Sequence, residues 1–224
     1  HQFPTGVVLP VARRLWLLDW ARRSDAYIIE DDYDGEFRYE GRQLESLQGR
    51  DDHERVLYVG TFSKVMFPAL RLGYVVVPES LVDAFLWMKA ASDTGSPSMD
   101  QDVLAEFIAD GHLERHIRRT RVRNAERRRA LVAAIDASLG KRVRAGGAAA
   151  GLHLWLEVPA VEPGRPTRRL RDLAHQEGVM LHSGAMCWLH GPPHATFILG
   201  YTGLAPKRIE EGIARLGRAL ARQE

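Results

Sequence analysis

The sequence predicts an α/β protein, with a mainly parallel sheet in its first half and a smaller α+β C-terminal domain. Two observations predict it. Three short runs at 27–30, 56–60 and 73–77 are β-branched or aromatic, bounded by polar or Gly/Pro residues, and almost unalternated, the pattern of strands covered on both faces. From Ser80 onward helical spacing dominates, and strands return only after a long helix.

Taken in order, Pro10 sits where a helix can open, and residues 11–23 carry Val11, Leu15, Leu18 and Ala21 at helical spacing. Trp16, Leu17, Leu18 and Trp20 read as core or dimer contact. Two helices are predicted up to Asp110, with Gly111 as the stop, and a long one over 113–139. Strands follow at 152–157, 179–182 and 196–201, with helices at 167–176 and 206–222 between and after them. The glycine and alanine run at 146–151 reads as a tight, flexible approach to a strand. The expected division is 1–112 for the large domain and 113–224 for the small one, which begins with the long helix.

Composition narrows the function. With 45% hydrophobic and 27% charged residues the chain is neither disordered nor fibrous, and no apolar stretch reaches the roughly 18 residues of a membrane span. Lys+Arg 31 against Asp+Glu 29 is too balanced for a dedicated nucleic-acid surface. The arginine-rich run from Arg115 to Arg129 reads as a solvated helix face with Glu114 and Glu126 as local partners. One cysteine, Cys187, excludes a disulfide framework and a multi-cysteine zinc site, and fits a reducing cytoplasm; it reads as a small buried hydrophobe. His112 and His116, four residues apart, lack a third ligand, so no metal is expected. His182, His190 and His194 surround a turn at Gly191, Pro192 and Pro193. The chain opens at His1 with no signal-peptide pattern and is expected to be a piece of a longer protein.

Two segments carry chemistry. In the first, Ile28 and Ile29 run into Glu30, Asp31, Asp32, Tyr33 and Asp34. Alternation puts Asp31 and Tyr33 on one side, where a carboxylate and a phenol can grip the nitrogen and the hydroxyl of a heteroaromatic ring. The acid spacing also touches an EF-hand loop, but Gly41 stands at its twelfth position and flanking helices are lacking. In the second, Gly60, Thr61, Phe62, Ser63 and Lys64 leave a strand, with Arg71 shortly after: hydroxyls, an amine and a guanidinium for a phosphate. The glycine spacing is not that of a Walker A loop. Only four lysines occur, so an amine-dependent reaction has few candidates. Together the two segments offer an acid, a phenol, a phosphate cradle and an amine, which suits pyridoxal phosphate.

Three motifs, His1 to Gly6, Glu30 to Asp34, and Gly60 to Lys64 followed by Leu70 to Tyr74, closely resemble fold-type I aminotransferases. The resemblance is nearest to the aminotransferase-like domain of MocR/GabR-type transcriptional regulators, and it extends through Ala150 to His153 and Leu199 to Tyr201 over essentially the whole chain. It implies a fold-type I PLP-dependent aminotransferase-like fold, truncated at its N-terminus so that its large domain is incomplete. By the same resemblance Lys64 is the Schiff-base lysine, Asp31 the partner of the pyridine nitrogen and Tyr33 that of the ring hydroxyl. Thr61, Ser63 and Arg71 are the implied phosphate ligands.

Phe3-Pro4 stands where ordinary aminotransferases have Asn-Pro, which favours the regulator branch. Thr196, Phe197, Ile198 and Leu199 carry no arginine for a substrate carboxylate. The implied function is the effector-binding and oligomerisation domain of a cytoplasmic, GntR-family MocR regulator. It would sense pyridoxal phosphate or its aldimine with a small amino compound, work as a homodimer, and reach DNA only through a missing winged helix-turn-helix, with no membrane partner. A working aminotransferase and a cofactor-free dimerisation scaffold are the alternatives. Cofactor binding is expected to be weak or absent in this chain by itself.

Overall fold

The computed structural model describes residues 2–41, 44–93, 95–159, 166–191 and 194–223; His1 of the opening motif and the turn at Pro192 and Pro193 lie outside the described residues. Helix α1 (Val11–Arg23) follows Pro10, and Arg22 and Arg23 in its last turn complement the helix dipole while pairing with Asp19. Strand β1 (Ile28–Asp32) starts after the left-handed turn at Asp25. Strand β2 (Val56–Thr61) is launched by Asp51, whose carboxylate accepts the N–H groups of His53, Arg55 and Val56. β1 and β2 are parallel, and β2 pairs antiparallel with β3 (Gly73–Val76). Helices α2 (Val82–Ser92) and α3 (Ser98–Ala109) follow. Gly111, at φ +68°, ends α3 and admits α4 (His112–Ser138).

Beyond α4 come β4 (Arg144–Gly146), β5 (His153–Val158), α5 (Pro166–Gln176), β6 (His182–Ser183), β7 (Ala195–Gly200) and α6 (Pro206–Ala221). The strands form an antiparallel sheet in the order β4-β5-β7-β6. β4 is a strand the sequence did not predict; only its last residue, Gly146, belongs to the stretch read as an approach to a strand, and glycine there hides a strand from propensity. β6 is shorter and later than the predicted 179–182, since Val179 N–H still bonds Ala174 O in the turn after α5.

Two compact units emerge. The N-terminal unit comprises Leu9–Glu36 and Arg42–Arg119; the C-terminal unit comprises His1–Val8, Phe37–Gly41 and Thr120–Glu224. In the C-terminal unit α4, α5 and α6 pack with the sheet around Leu154, Leu156, Leu170, Phe197 and Leu216, all at most 1% exposed. Gly151 is its hub: the carbonyl accepts the hydroxyls of Tyr39 and Tyr201, and the N–H bonds Phe37 O. Arg128 adds bonds to Ala148 O and Glu40 and lies over the Tyr39 ring.

The N-terminal unit is less well covered. Ile29 is 72% exposed, Trp87 78%, and all four residues of β3 are exposed. The two-sided cover expected for these strands is therefore not supplied within this unit. Trp16 and Trp20 are likewise exposed, which removes the core half of their expectation.

Candidate functional site

The acids at the end of β1 sort by their partners. Glu30 accepts the N–H groups of Leu47 and Gln48 at 2.8 and 3.1 Å and faces Arg14 at 3.6 Å, so it holds a turn. Asp32 accepts the Tyr58 hydroxyl at 3.0 Å. Asp34 is buried, and its charge acts on the Tyr33 phenol. Asp31 is exposed and has no hydrogen bond or ion pair among the described residues. Strand alternation places it with Ile29 on one face, beside its ladder neighbour Val59, and puts Asp32 and Tyr58 on the other.

Tyr33 follows the strand end. Burial first, then the charges of Asp34, Asp31 and Asp32, pushes its phenol above the ordinary value, so it stays a protonated donor at neutral pH. Burial and Asp32 do the same for Tyr58. Its ring lies 6.0 Å from Tyr74, which lies 5.2 Å from Phe62. This aromatic layer was not read from the sequence, although glycine marks it. A Cβ on Gly60 would fall 2.4 Å from the Tyr74 ring, and one on Gly35 would fall 2.3 Å from Asp32 Oδ2.

β2 delivers the second segment. Thr61 pairs with Gly73 in the ladder, Thr61 Oγ1 and the Phe62 N–H both donate to Leu72 O, and the Ser63 N–H donates to Thr61 Oγ1 at 3.2 Å. The chain from 61 to 72 is thus a closed loop that returns Arg71 toward Thr61 and Ser63. Arg71 sits in the left-handed region at φ +50°. Lys64 and Arg71 are exposed and, like Asp31, have no hydrogen bond or ion pair among the described residues. Asp31 and Lys64 leave the same end of two adjacent parallel strands, where ligands bind in such sheets. A pocket of about 520 Å³ borders the loop, with Phe62, Arg71 and Tyr74 on one side and Leu104 and Ile108 of α3 on the other.

Other candidates resolve differently. His116 Nε2 bonds the carbonyl of Val65, next to Lys64, at 3.0 Å, while His112 stacks on Phe107; no metal-binding cluster occurs among the described residues. Cys187 is exposed, not buried as expected, because it ends a short surface turn flanked by Met186 and Leu189 at 88% and 91% exposure. His182 lines an apolar groove of about 270 Å³ along β6, β7 and α6. Among the described residues no helix is long and apolar enough to cross a membrane.

Comparison with known proteins places these features in context. The model of the family "Aminotransferase class I and II" matches residues 2–214. An uncharacterised HTH-type transcriptional regulator of Bacillus subtilis, YdeL, is 38% identical over 98% of this chain and 47% of its own. The probable rhizopine catabolism regulatory protein MocR of Rhizobium meliloti is 39% identical over 97% of this chain and 44% of its own. This chain therefore spans about half the length of the curated relatives it matches. Among solved structures, the α-aminoadipate aminotransferase LysN of Thermus thermophilus, complexed with N-(5'-phosphopyridoxyl)-L-leucine, superposes at TM-score 0.87 with 29% identity, covering 98% of this chain and 56% of that one.

Proposed function

Because this chain belongs to the class I and II aminotransferase family, we propose that it is the effector-sensing and oligomerisation part of a cytoplasmic MocR-type transcriptional regulator. Its signal is pyridoxal phosphate, alone or carrying a small amino compound. The regulators YdeL and MocR support the regulator half of this reading. The observation that carries the sensing half is the sorting of the acid run. Glu30 and Asp32 are hydrogen-bonded within the protein and Asp34 is buried, whereas Asp31, at the strand end from which Lys64 also departs, makes no hydrogen bond or ion pair among the described residues.

The donor set fits the cofactor. Asp31 would hold a proton on the ring nitrogen, and the protonated Tyr33 would donate to the ring hydroxyl. Thr61, Ser63 and Arg71 would take the phosphate, Arg71 through a bidentate contact. Ile29 and Val59 offer an apolar ledge beside Asp31. When bound, pyridoxal phosphate supplies an aldehyde that condenses with amines and a pyridine that draws electrons. Lys64 would present its amine to that aldehyde and yield the place to an incoming amine, which is how an amino compound is sensed. With no arginine at Thr196 to Leu199 for a substrate carboxylate, the reading favours sensing over turnover.

The test is a titration of the full-length protein with pyridoxal phosphate, followed by borohydride fixation and peptide mapping. The expected label is on Lys64, and Lys64→Ala should lose it. A label spread evenly over Lys89, Lys141 and Lys207, or none at all, overturns the cofactor assignment. Transamination of amino acids by full-length protein at enzyme-like rates would establish the aminotransferase reading instead, which the likeness to LysN keeps in view. Light scattering checks the homodimer, and a monomer at micromolar concentration would remove oligomerisation from the proposal.

A further inference from the structure

The histidines 112 and 116 belong to no metal-binding cluster among the described residues, and the structure gives the second of them another task. His116, half-buried on α4, bonds through Nε2 to the carbonyl of Val65 at 3.0 Å, 51 residues away in the chain. A carbonyl oxygen only accepts, so Nε2 carries the hydrogen. Both residues belong to the N-terminal unit. Val65 is 3% exposed and Ser63 7%, and Lys64 stands exposed between them. The backbone around Lys64 is one closed turn, because the Met66 N–H donates to Phe62 O at 2.8 Å.

A single helical turn is too short to hold itself, since it fixes several dihedrals for one hydrogen bond. This one is not lengthened: Phe67 is extended at φ −153°, and Pro68 follows it. The carbonyls at its end therefore take donors from outside the turn. That of Val65 takes His116. On the other side of the lysine, the Ser63 N–H is held by Thr61 Oγ1 at 3.2 Å. Lys64 is thus the exposed residue of a turn pinned on both sides.

We infer that His116 is a positioning residue for Lys64: its hydrogen bond to the Val65 carbonyl holds the turn 62–66 closed and keeps the backbone that carries the lysine amine in one place. This rests on the sensing proposal above and adds to it a residue that acts only through another. The bond needs an N–H at the place of Nε2 and nothing else of the imidazole. Glutamine carries an amide N–H at nearly that reach, asparagine falls one methylene short of it, and leucine has none. With the donor gone, a buried carbonyl lacks its partner and the turn opens to regain water. Only the closed fraction binds in full, so affinity falls with that fraction.

The experiment uses the full-length protein with pyridoxal phosphate below saturation as the probe, then borohydride fixation and peptide mapping. Orphaning a buried carbonyl shifts closing by about 50-fold, so a turn closed about nine-tenths of the time falls to about one-sixth. His116→Leu and His116→Asn should then take about six-fold less label at Lys64, with the labels on Lys89, Lys141 and Lys207 unchanged as internal references. His116→Gln should return to within about two-fold of the unaltered protein. His112→Ala, which removes the other imidazole from the same helix, leaves the Lys64 label unchanged. Hydrogen exchange at the Met66 amide reads the opening without cofactor and should quicken by about eight-fold in the Leu and Asn variants. Circular dichroism checks folding, and where His116→Leu does not fold, His116→Asn is the measurement. The inference is overturned by undiminished Lys64 label in those two variants, by equal loss in His116→Gln, or by Met66 exchange that stays as it was. An unaltered protein that takes no label at Lys64 sinks the sensing proposal and this inference together; one that takes it regardless of residue 116 sinks this inference alone.

Discussion

Replacing Gly60 by alanine tests the close approach of the aromatic layer to β2. The new Cβ would lie 2.4 Å from Tyr74 Cζ and 2.6 Å from its hydroxyl oxygen. Ordinary contact begins near 3.4 Å, so the ring must retreat by about 1 Å, taking with it the neighbour of Tyr58 and Asp32. Overpacking of this kind costs about 1–3 kcal/mol. Against that, alanine restricts the unfolded chain and returns about 0.4–1 kcal/mol, since Gly60 does not require a positive φ. The expected net is a loss of about 1–2 kcal/mol. In a Tyr74→Ala background the obstacle is gone and only the gain remains, so the sign reverses. A double-mutant cycle by urea denaturation reads this directly as a coupling of about 1–3 kcal/mol. Equal destabilisation by Gly60→Ala in both backgrounds would refute the reasoning, because the cost would then lie in the backbone and not in the ring.

Two further predictions concern the C-terminal unit. Arg128→Met keeps the aliphatic stem but removes a charged bond to Ala148 O and the contact with Tyr39; with the Glu40 pair discounted for its exposure, the loss should be about 2 kcal/mol, and a urea midpoint unchanged within error would contradict it. Glu177 is held below its ordinary 4.5 by hydrogen bonding to Arg218, with Arg222 contributing. A depressed carboxylate stabilises the fold above its unfolded value, and that contribution is lost as the pH falls through the folded one. Arg218→Ala should therefore flatten the decline of thermal stability between about pH 5 and 3; a decline as steep as that of the unaltered chain would exclude the pair as its source.

The residues that bear periodicity were legible from the sequence. Pro10 and the apolar spacing through Ala21 marked α1 to the residue, and Gly111 marked the break before α4. The acid run and the loop from Gly60 to Lys64 were legible as chemistry because charge at a strand end has few uses. What could not be read was the division of labour inside that run. Glu30, Asp32 and Asp34 differ from Asp31 only through Leu47, Tyr58 and Tyr33, partners that sequence distance or strand parity conceals. Short strands fared worst. β4 and β6 have three and two residues, too few for a period to show, and their pairing is decided by neighbours far along the chain. Cys187 shows the limit of residue type as a guide, since a preference for burial yields to a surface turn.

The bare apolar surface of the N-terminal unit has Ile29, Leu86, Trp87, Met88 and Met99 turned to solvent. If association of copies covers that side, as the oligomerisation proposal has it, the stability of this half depends on how much protein is dissolved. Its midpoint of melting should climb with dilution reversed, whereas the C-terminal half, wrapped around its own interior, should melt at one temperature whatever the dose.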